Sequence, residues 1–134
     1  MPDKAAAPAI MRSSLGQVRG LGSAKSGSAH WWAQRLTAVA LIPLTLWFIG
    51  SVIRLAGLPR AAVTAWAAHP LVAALLVALV LATFHHLQLG LQAVLEDYVA
   101  GEHSRLVSVV VMKAVVVLLA LIAVVSVLKL AVSG

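Results

Sequence analysis

The chain has 134 residues, of which 62% are hydrophobic and only 10% are charged, and it contains no cysteine. A soluble domain is usually about 45–50% apolar and about a quarter charged, so this composition excludes a soluble protein and indicates a small integral membrane protein. The lack of cysteine excludes a disulfide framework, a thiolate metal site and an iron–sulfur cluster held by this chain alone. The formal net charge of +6 does not indicate nucleic-acid binding, because the basic residues lie mostly at the flanks of apolar segments.

The chain is predicted to begin with a flexible basic segment, residues 1–29, followed by one transmembrane domain, residues 30–134. Each apolar run in that domain is long enough to cross a hydrocarbon core of about 30 Å, which takes about 20 helical residues. Helices are expected because an open strand would leave backbone groups without hydrogen bonds in lipid. The connection between the first two runs contains Gly and Pro and is predicted to hold a short interfacial turn. The sequence therefore predicts an all-α membrane protein with three spans, at about 35–56, 70–97 and 105–129.

Basic residues predict the orientation of these spans. The segment up to the first span carries one acidic residue, Asp3, against five basic ones: Lys4, Arg12, Arg19, Lys25 and Arg35. Because positively charged flanks stay on the inner side of a membrane, the N-terminus is expected inside. With three spans, the end of the second one returns to that same face.

The second span carries a stripe of small residues that includes His86. Stepping by three and four residues along a helix, which turns about 100° per residue, gives one face: Ala74, Ala78, Ala82, His86, Gly90, Ala93 and Asp97. Small residues let transmembrane helices approach closely. Alternatively, the stripe leaves room for a flat cofactor, because Gly90 lies one turn from His86, where a bulky side chain would obstruct a macrocycle. Both interpretations can hold along different parts of the helix.

His86 is a candidate axial ligand of haem iron, because a neutral imidazole binds it well and ionisable groups inside spans usually have a function. His85 points about 100° away and is the alternative ligand, or a polar contact for a partner chain. The remaining histidines lie near the ends of spans: His30, His69 and His103. A haem with two histidine ligands would therefore take its second ligand from another polypeptide.

Asp97 and Tyr98 end the second span, with Asp97 almost in line with His86 and about 16 Å along the helix axis. Tyrosine is enriched at membrane interfaces as an anchor, and that interpretation is favoured for Tyr98 on its own. The alternative is a hydrogen-bond donor to a quinone carbonyl at the mouth of an apolar pocket. Asp97 would then orient the tyrosine or a nearby arginine, or relay a proton.

The pattern from His86 through Gly90 to Asp97 and Tyr98 resembles the D-type hydrophobic membrane-anchor subunits of succinate dehydrogenase, respiratory complex II. The upstream stretch HWWAQRLTAVAL, the chain length and the three spans are also similar to that family. The resemblance covers roughly residues 28–134, and its most specific part is the histidine, glycine and aspartate–tyrosine set on one helix.

This resemblance implies a set of partners and cofactors. The chain would pair with a C-type cytochrome b anchor subunit, itself of three spans, and share haem b with it through His86. Asp97 and Tyr98 would form part of the ubiquinone site, and Arg35 would lie near the haem propionates or the quinone pocket. The flavoprotein and iron–sulfur subunits would dock on the inner face and pass electrons from succinate to quinone. The chain itself would perform no chemistry on succinate.

Two other classes of protein remain open at this point. One is the anchor of a fumarate reductase or of another quinone-linked dehydrogenase. The other is a non-redox accessory membrane protein, in which His86 and Tyr98 only pack and anchor. The high Ala, Val and Leu content favours a bacterial inner (cytoplasmic) membrane over a mitochondrial inner membrane.

Overall fold

The computed structural model describes residues 25–133, and in that range the chain forms four α-helices and no β-strand. Their bounds are α1 (Lys25–Leu55), α2 (Arg60–Ala68), α3 (Pro70–Tyr98) and α4 (Glu102–Val132). The first, third and fourth are long and apolar enough to cross a membrane, which confirms the predicted all-α fold with three spans.

The first helix is longer than the span predicted from hydropathy. It begins at Lys25, so residues 25–29, assigned above to a flexible segment, are helical. The remainder of that segment, residues 1–24, lies outside the described residues. The helix also continues without interruption through Pro43.

The connection between the first two spans contains a helix of nine residues, α2, where a short turn was predicted. Its sequence, RAAVTAWAA, contains five alanines, and alanine has the highest helix propensity of all residues. Pro70 occupies the first turn of α3, where its missing N–H leaves no intrahelical bond unmade. Residues 99–101 join α3 to α4, and Gly101 has a φ of +88°, a conformation that other residues adopt only at a cost.

The third helix lies at the centre of the packing, because it contacts both α1 and α4. The short helix α2 packs against α3 and α4, and its Trp66 stacks on Trp47 of α1 with ring centroids 5.9 Å apart. Only four hydrophobic residues are buried among the described residues: Ala67, Leu76, Leu89 and Val116. Leu, Val and Ile side chains cover the outer faces of the long helices, so these faces must meet lipid or other protein chains.

Candidate functional site between the first and third helices

The structure separates the two adjacent histidines of α3. His86 is half-buried, and its Nδ1 lies 3.0 Å from the hydroxyl oxygen of Thr37 on α1. His85 is exposed and forms no side-chain hydrogen bond with any residue in the range 25–133. The ring of His86 is therefore held in one orientation by the neighbouring helix, whereas His85 faces outward.

A groove along α1 borders the ring of His86. Its volume is about 420 Å³, and it is lined by His86 and five residues of α1: Ala38, Leu41, Ile42, Thr45 and Leu46. We call this space the α1 groove. Because Nδ1 of His86 is occupied by Thr37, Nε2 is the ring nitrogen left to meet a ligand there. The walls of the α1 groove are mostly apolar, and His86 is the only titratable residue that lines it.

Gly90 lies where α3 comes close to Gln34 of α1. A Cβ atom added at Gly90 would stand 3.7 Å from Nε2 of Gln34, which is an ordinary van der Waals contact. The space beside Gly90 is thus occupied by Gln34, which supports close helix packing at this point of the small-residue stripe. Since Thr37 meets His86 while Gln34 meets Gly90, the two helices run in opposite directions. The beginning of α1 therefore lies on the same side as the end of α3.

Two buried polar atoms of α1 have no hydrogen-bond partner among the described residues: Nε2 of His30 and Oε1 of Gln34. The two residues are four apart and lie on one face of α1, next to Thr37. Leaving such an atom unsatisfied costs about 1–3 kcal/mol, so buried groups of this kind are normally bonded to water or to a ligand. A polar group that is not part of the described chain is therefore expected at this end of the interface between α1 and α3.

The predicted quinone residues lie at the exposed end of α3. Tyr98 is its last residue and is 84% exposed, and Asp97 is exposed beside it. Neither side chain forms a hydrogen bond with another residue in the described range. The neighbouring Glu96 accepts a hydrogen bond of 2.7 Å from Gln92, which orients it along the helix. Asp97 and Tyr98 are thus free to meet another chain or a ligand.

Arg35 is not brought next to His86 or Tyr98 within this chain. Its guanidinium carbon lies 3.7 Å from the ring centroid of Trp31, and the residue is exposed. It precedes Thr37 by two residues, which turns it about 200° around α1 and away from α3. Any role of Arg35 at a haem or quinone must therefore be played toward another polypeptide.

Residue chemistry alone missed three polar residues of α1 that face α3: His30, Gln34 and Thr37. Their spacing of four and three residues was the available signal, because residues so spaced share one face of a helix.

No three His, Asp or Glu side chains in residues 25–133 are arranged to hold a metal ion. A haem brings its own ring of nitrogens and takes only axial ligands from protein, so one histidine from this chain is chemically sufficient for it.

The fold and the site together define a small multi-pass membrane protein whose inward-facing polar residues lie between its first and third helices. A family model described as succinate dehydrogenase/fumarate reductase transmembrane subunit matches residues 9–128. The chain belongs to this family, and the resemblance inferred from the His86, Asp97 and Tyr98 pattern is confirmed.

Individual relatives agree with the family. A succinate dehydrogenase hydrophobic membrane anchor subunit of Rickettsia bellii is 29% identical over 102 residues, covering 76% of this chain and 82% of the relative. A succinate dehydrogenase membrane anchor subunit of Reclinomonas americana is 29% identical, covering 69% and 80% of the two chains. A succinate dehydrogenase hydrophobic membrane anchor subunit of Paracoccus denitrificans is 34% identical, covering 63% and 65%. No solved structure matches the chain.

Proposed function

We propose that this chain anchors a succinate dehydrogenase in the membrane, supplies one axial ligand to haem b and forms part of the ubiquinone site. The observation that carries the haem assignment is the contact of 3.0 Å between Nδ1 of His86 and Thr37, which leaves Nε2 available. The family description includes fumarate reductase, but the similar proteins are named for succinate dehydrogenase. Succinate oxidation is therefore the favoured direction, and an accessory protein without a redox partner is disfavoured.

The residues around His86 fit a haem. The imidazole lies near the middle of an apolar span, lines the α1 groove and is held by a hydrogen bond on its other nitrogen, as metal-binding histidines usually are. The unpartnered buried atoms of His30 and Gln34 are suited to the polar edge of a bound molecule or to ordered water. When bound, haem b would accept and release one electron at a time.

Tyr98 and Asp97 support a quinone site at the end of α3. The phenol of Tyr98 is accessible and can donate a hydrogen bond to a quinone carbonyl. Asp97 is adjacent and exposed, so it can accept a hydrogen bond from the phenol or from a proton-carrying water. The end of α3 lies on the same side of the membrane as the start of α1, which is predicted to be the inner face. Tyr98 and Asp97 would therefore lie on the face where an iron–sulfur subunit would deliver electrons.

The partners follow from the surfaces that this chain leaves uncovered. Its outer faces are apolar, which suits both lipid and a second helical anchor, the C-type cytochrome b subunit. The exposed end of α3 and the loop to α4 suit docking of the iron–sulfur subunit, which carries the flavoprotein subunit. Relatives from Rickettsia and Paracoccus support a bacterial inner membrane.

The haem assignment is tested by purifying the complex through a tag on this chain and recording a reduced-minus-oxidised spectrum. A b-type band is expected, together with succinate-driven reduction of a short-chain quinone. His86→Ala should abolish or shift the band, and His85→Ala, the matched control on the adjacent outward-facing position, should leave it unchanged. A band lost in His85→Ala and kept in His86→Ala would reverse the ligand assignment. Faster fumarate reduction by a quinol than succinate oxidation would favour a fumarate reductase.

The quinone assignment is tested with Tyr98→Phe, which removes only the hydroxyl group. A lost hydrogen bond of about 1–3 kcal/mol corresponds to a fall of about 5- to 150-fold in quinone reduction. Succinate oxidation by an artificial dye that accepts electrons from the soluble subunits should stay normal, because those subunits are unchanged. Normal quinone turnover in this variant would leave Tyr98 as an interfacial anchor only.

A further inference from the structure

Thr37 is the one side chain of the described residues that bonds to His86, and its hydroxyl lies within hydrogen-bond distance of three polar atoms. Its oxygen is 2.8 Å from the carbonyl of Ala33, 3.0 Å from the carbonyl of Gln34 and 3.0 Å from Nδ1 of His86. A hydroxyl has a single proton to donate and two lone pairs to accept with. The three contacts therefore cannot all be donations from Thr37.

The two carbonyl oxygens can only accept, so a Thr37 hydroxyl that donates to one of them can only accept from His86. When Thr37 donates its proton to the carbonyl of Ala33, its oxygen is left as an acceptor facing Nδ1. The histidine then donates its Nδ1–H to Thr37, and a hydroxyl that donates one hydrogen bond accepts another more strongly. The bond made by one ring nitrogen determines which nitrogen carries the proton, so Nε2 keeps its lone pair.

We propose that Thr37 is a positioning residue that holds His86 in the Nδ1–H form and directs the Nε2 lone pair into the α1 groove. The inference rests on the proposed haem-binding function and adds a residue that acts on it through His86. The backbone supports the arrangement, because the threonine is anchored to the preceding turn of its own helix. The α1 helix thus sets both the position of the imidazole and its protonation at each nitrogen.

The proposal predicts a change in the haem itself when the hydroxyl is removed. Thr37→Val retains the branched shape and loses the hydrogen-bond acceptor. A hydrogen bond on the outer nitrogen raises the basicity of a histidine ligand and so favours the oxidised iron. The haem midpoint potential is therefore expected to rise in Thr37→Val, and haem affinity is expected to fall about 10- to 100-fold.

The experiment uses the tagged complex and measures the haem potential by redox titration and haem retention by dilution in detergent. Thr37→Ser restores a hydroxyl and should return both quantities to the wild-type values. Thr64→Val is the matched control, because Thr64 on α2 also bonds to a carbonyl of its own helix, that of Ala61, and it does not contact His86. A merely structural effect of losing a threonine hydroxyl would lower stability in both valine variants and leave the potential unchanged.

An unchanged potential and unchanged haem retention in Thr37→Val would overturn the proposal. If Thr37→Val does not assemble, Thr37→Cys and Thr37→Ser are compared instead. The thiol of cysteine is similar in size to a hydroxyl group but is a weaker hydrogen-bond partner. Equal haem potentials in these two variants would overturn the proposal. The variant His86→Ala distinguishes a failure of the proposal for Thr37 from a failure of the proposed haem-binding function. Haem lost in His86→Ala but unaffected in Thr37→Val refutes only the role of Thr37. Haem unaffected in His86→Ala, or absent from the wild-type complex, refutes both.

Discussion

Gly90 offers a direct test of what occupies the space one turn from His86. Glycine inside a helix costs about 0.5–1 kcal/mol relative to alanine, and a Cβ at this position would make only an ordinary contact of 3.7 Å with Gln34. Gly90→Ala is therefore expected to keep the haem spectrum and to match or exceed wild-type stability by up to about 1 kcal/mol. Gly90→Leu places further carbons where Gln34 lies, and overpacking of this kind costs about 1–3 kcal/mol.

The assay is the temperature at which the purified complex in mild detergent loses the b-type absorbance expected from the proposed haem. Gly50→Ala is the matched control, because Gly50 lies inside α1 and a Cβ there meets no atom within 4 Å beyond its own stretch of helix backbone, so within this chain the change alters mainly helix propensity. Both alanine variants should lose haem at or above the wild-type temperature. Gly90→Leu should lose it at a lower temperature, because pushing α1 away from α3 also breaks the contact between Thr37 and His86.

The reasoning about Gly90 would be refuted by loss of haem in Gly90→Ala with normal behaviour of Gly50→Ala. One methyl group would then obstruct a bound molecule rather than touch Gln34. That outcome would show that the macrocycle lies against Gly90, as the sequence-based alternative proposed, and that Gln34 moves aside in the assembled complex.

Three further substitutions test the packing, each by the thermal midpoint of the purified complex. Leu89→Ala should lower stability by about 2–5 kcal/mol, since Leu89 is only 6% exposed; an unchanged midpoint would show that the site collapses fully. Gly101→Ala should cost about 1–2 kcal/mol, because its φ is +88° and a Cβ would stand 3.1 Å from Oγ of Ser104. Trp66→Phe should retain most of the stacking on Trp47. Trp66→Ala should lower stability by about 0.5–1.5 kcal/mol beyond the effect of the lost buried area. Equal losses of stability in the two variants would contradict a specific contact between the rings.

The spans were predictable because long apolar runs without charge have few alternatives in a membrane. Their ends were less predictable, since hydropathy does not distinguish a helix that leaves the membrane from an irregular segment. The polar residues from Lys25 to Gln34 therefore concealed the true start of α1. The alanine-rich helix α2 was missed for a related reason, because Gly and Pro at its flanks indicated a turn and its propensity was not weighed.

The site was predictable only where residue chemistry is distinctive. His86, Asp97 and Tyr98 stand out in an apolar helix, but the contact between Thr37 and His86 depends on how α1 and α3 are rotated about their axes. That rotation cannot be read from hydrophobicity when every face of a helix is apolar, because lipid and protein neighbours then have similar polarity. The spacing of His30, Gln34 and Thr37 supplies the missing information once α1 and α3 are known to be antiparallel neighbours.

The polar residues of the spans divide into two sets with different requirements. The inward set, with Thr37 and His86 at its centre, finds part of its hydrogen bonding between α1 and α3. The outward set includes His85 and Arg35, which are exposed on the surface of the described chain. Ionisable side chains in membrane spans nearly always pair with another group or face a protein interior, whereas an arginine near the end of a span can extend its charged group to the interface. The face that carries His85 is therefore expected to meet another protein chain rather than lipid alone, in keeping with a chain that works as one subunit of a larger assembly.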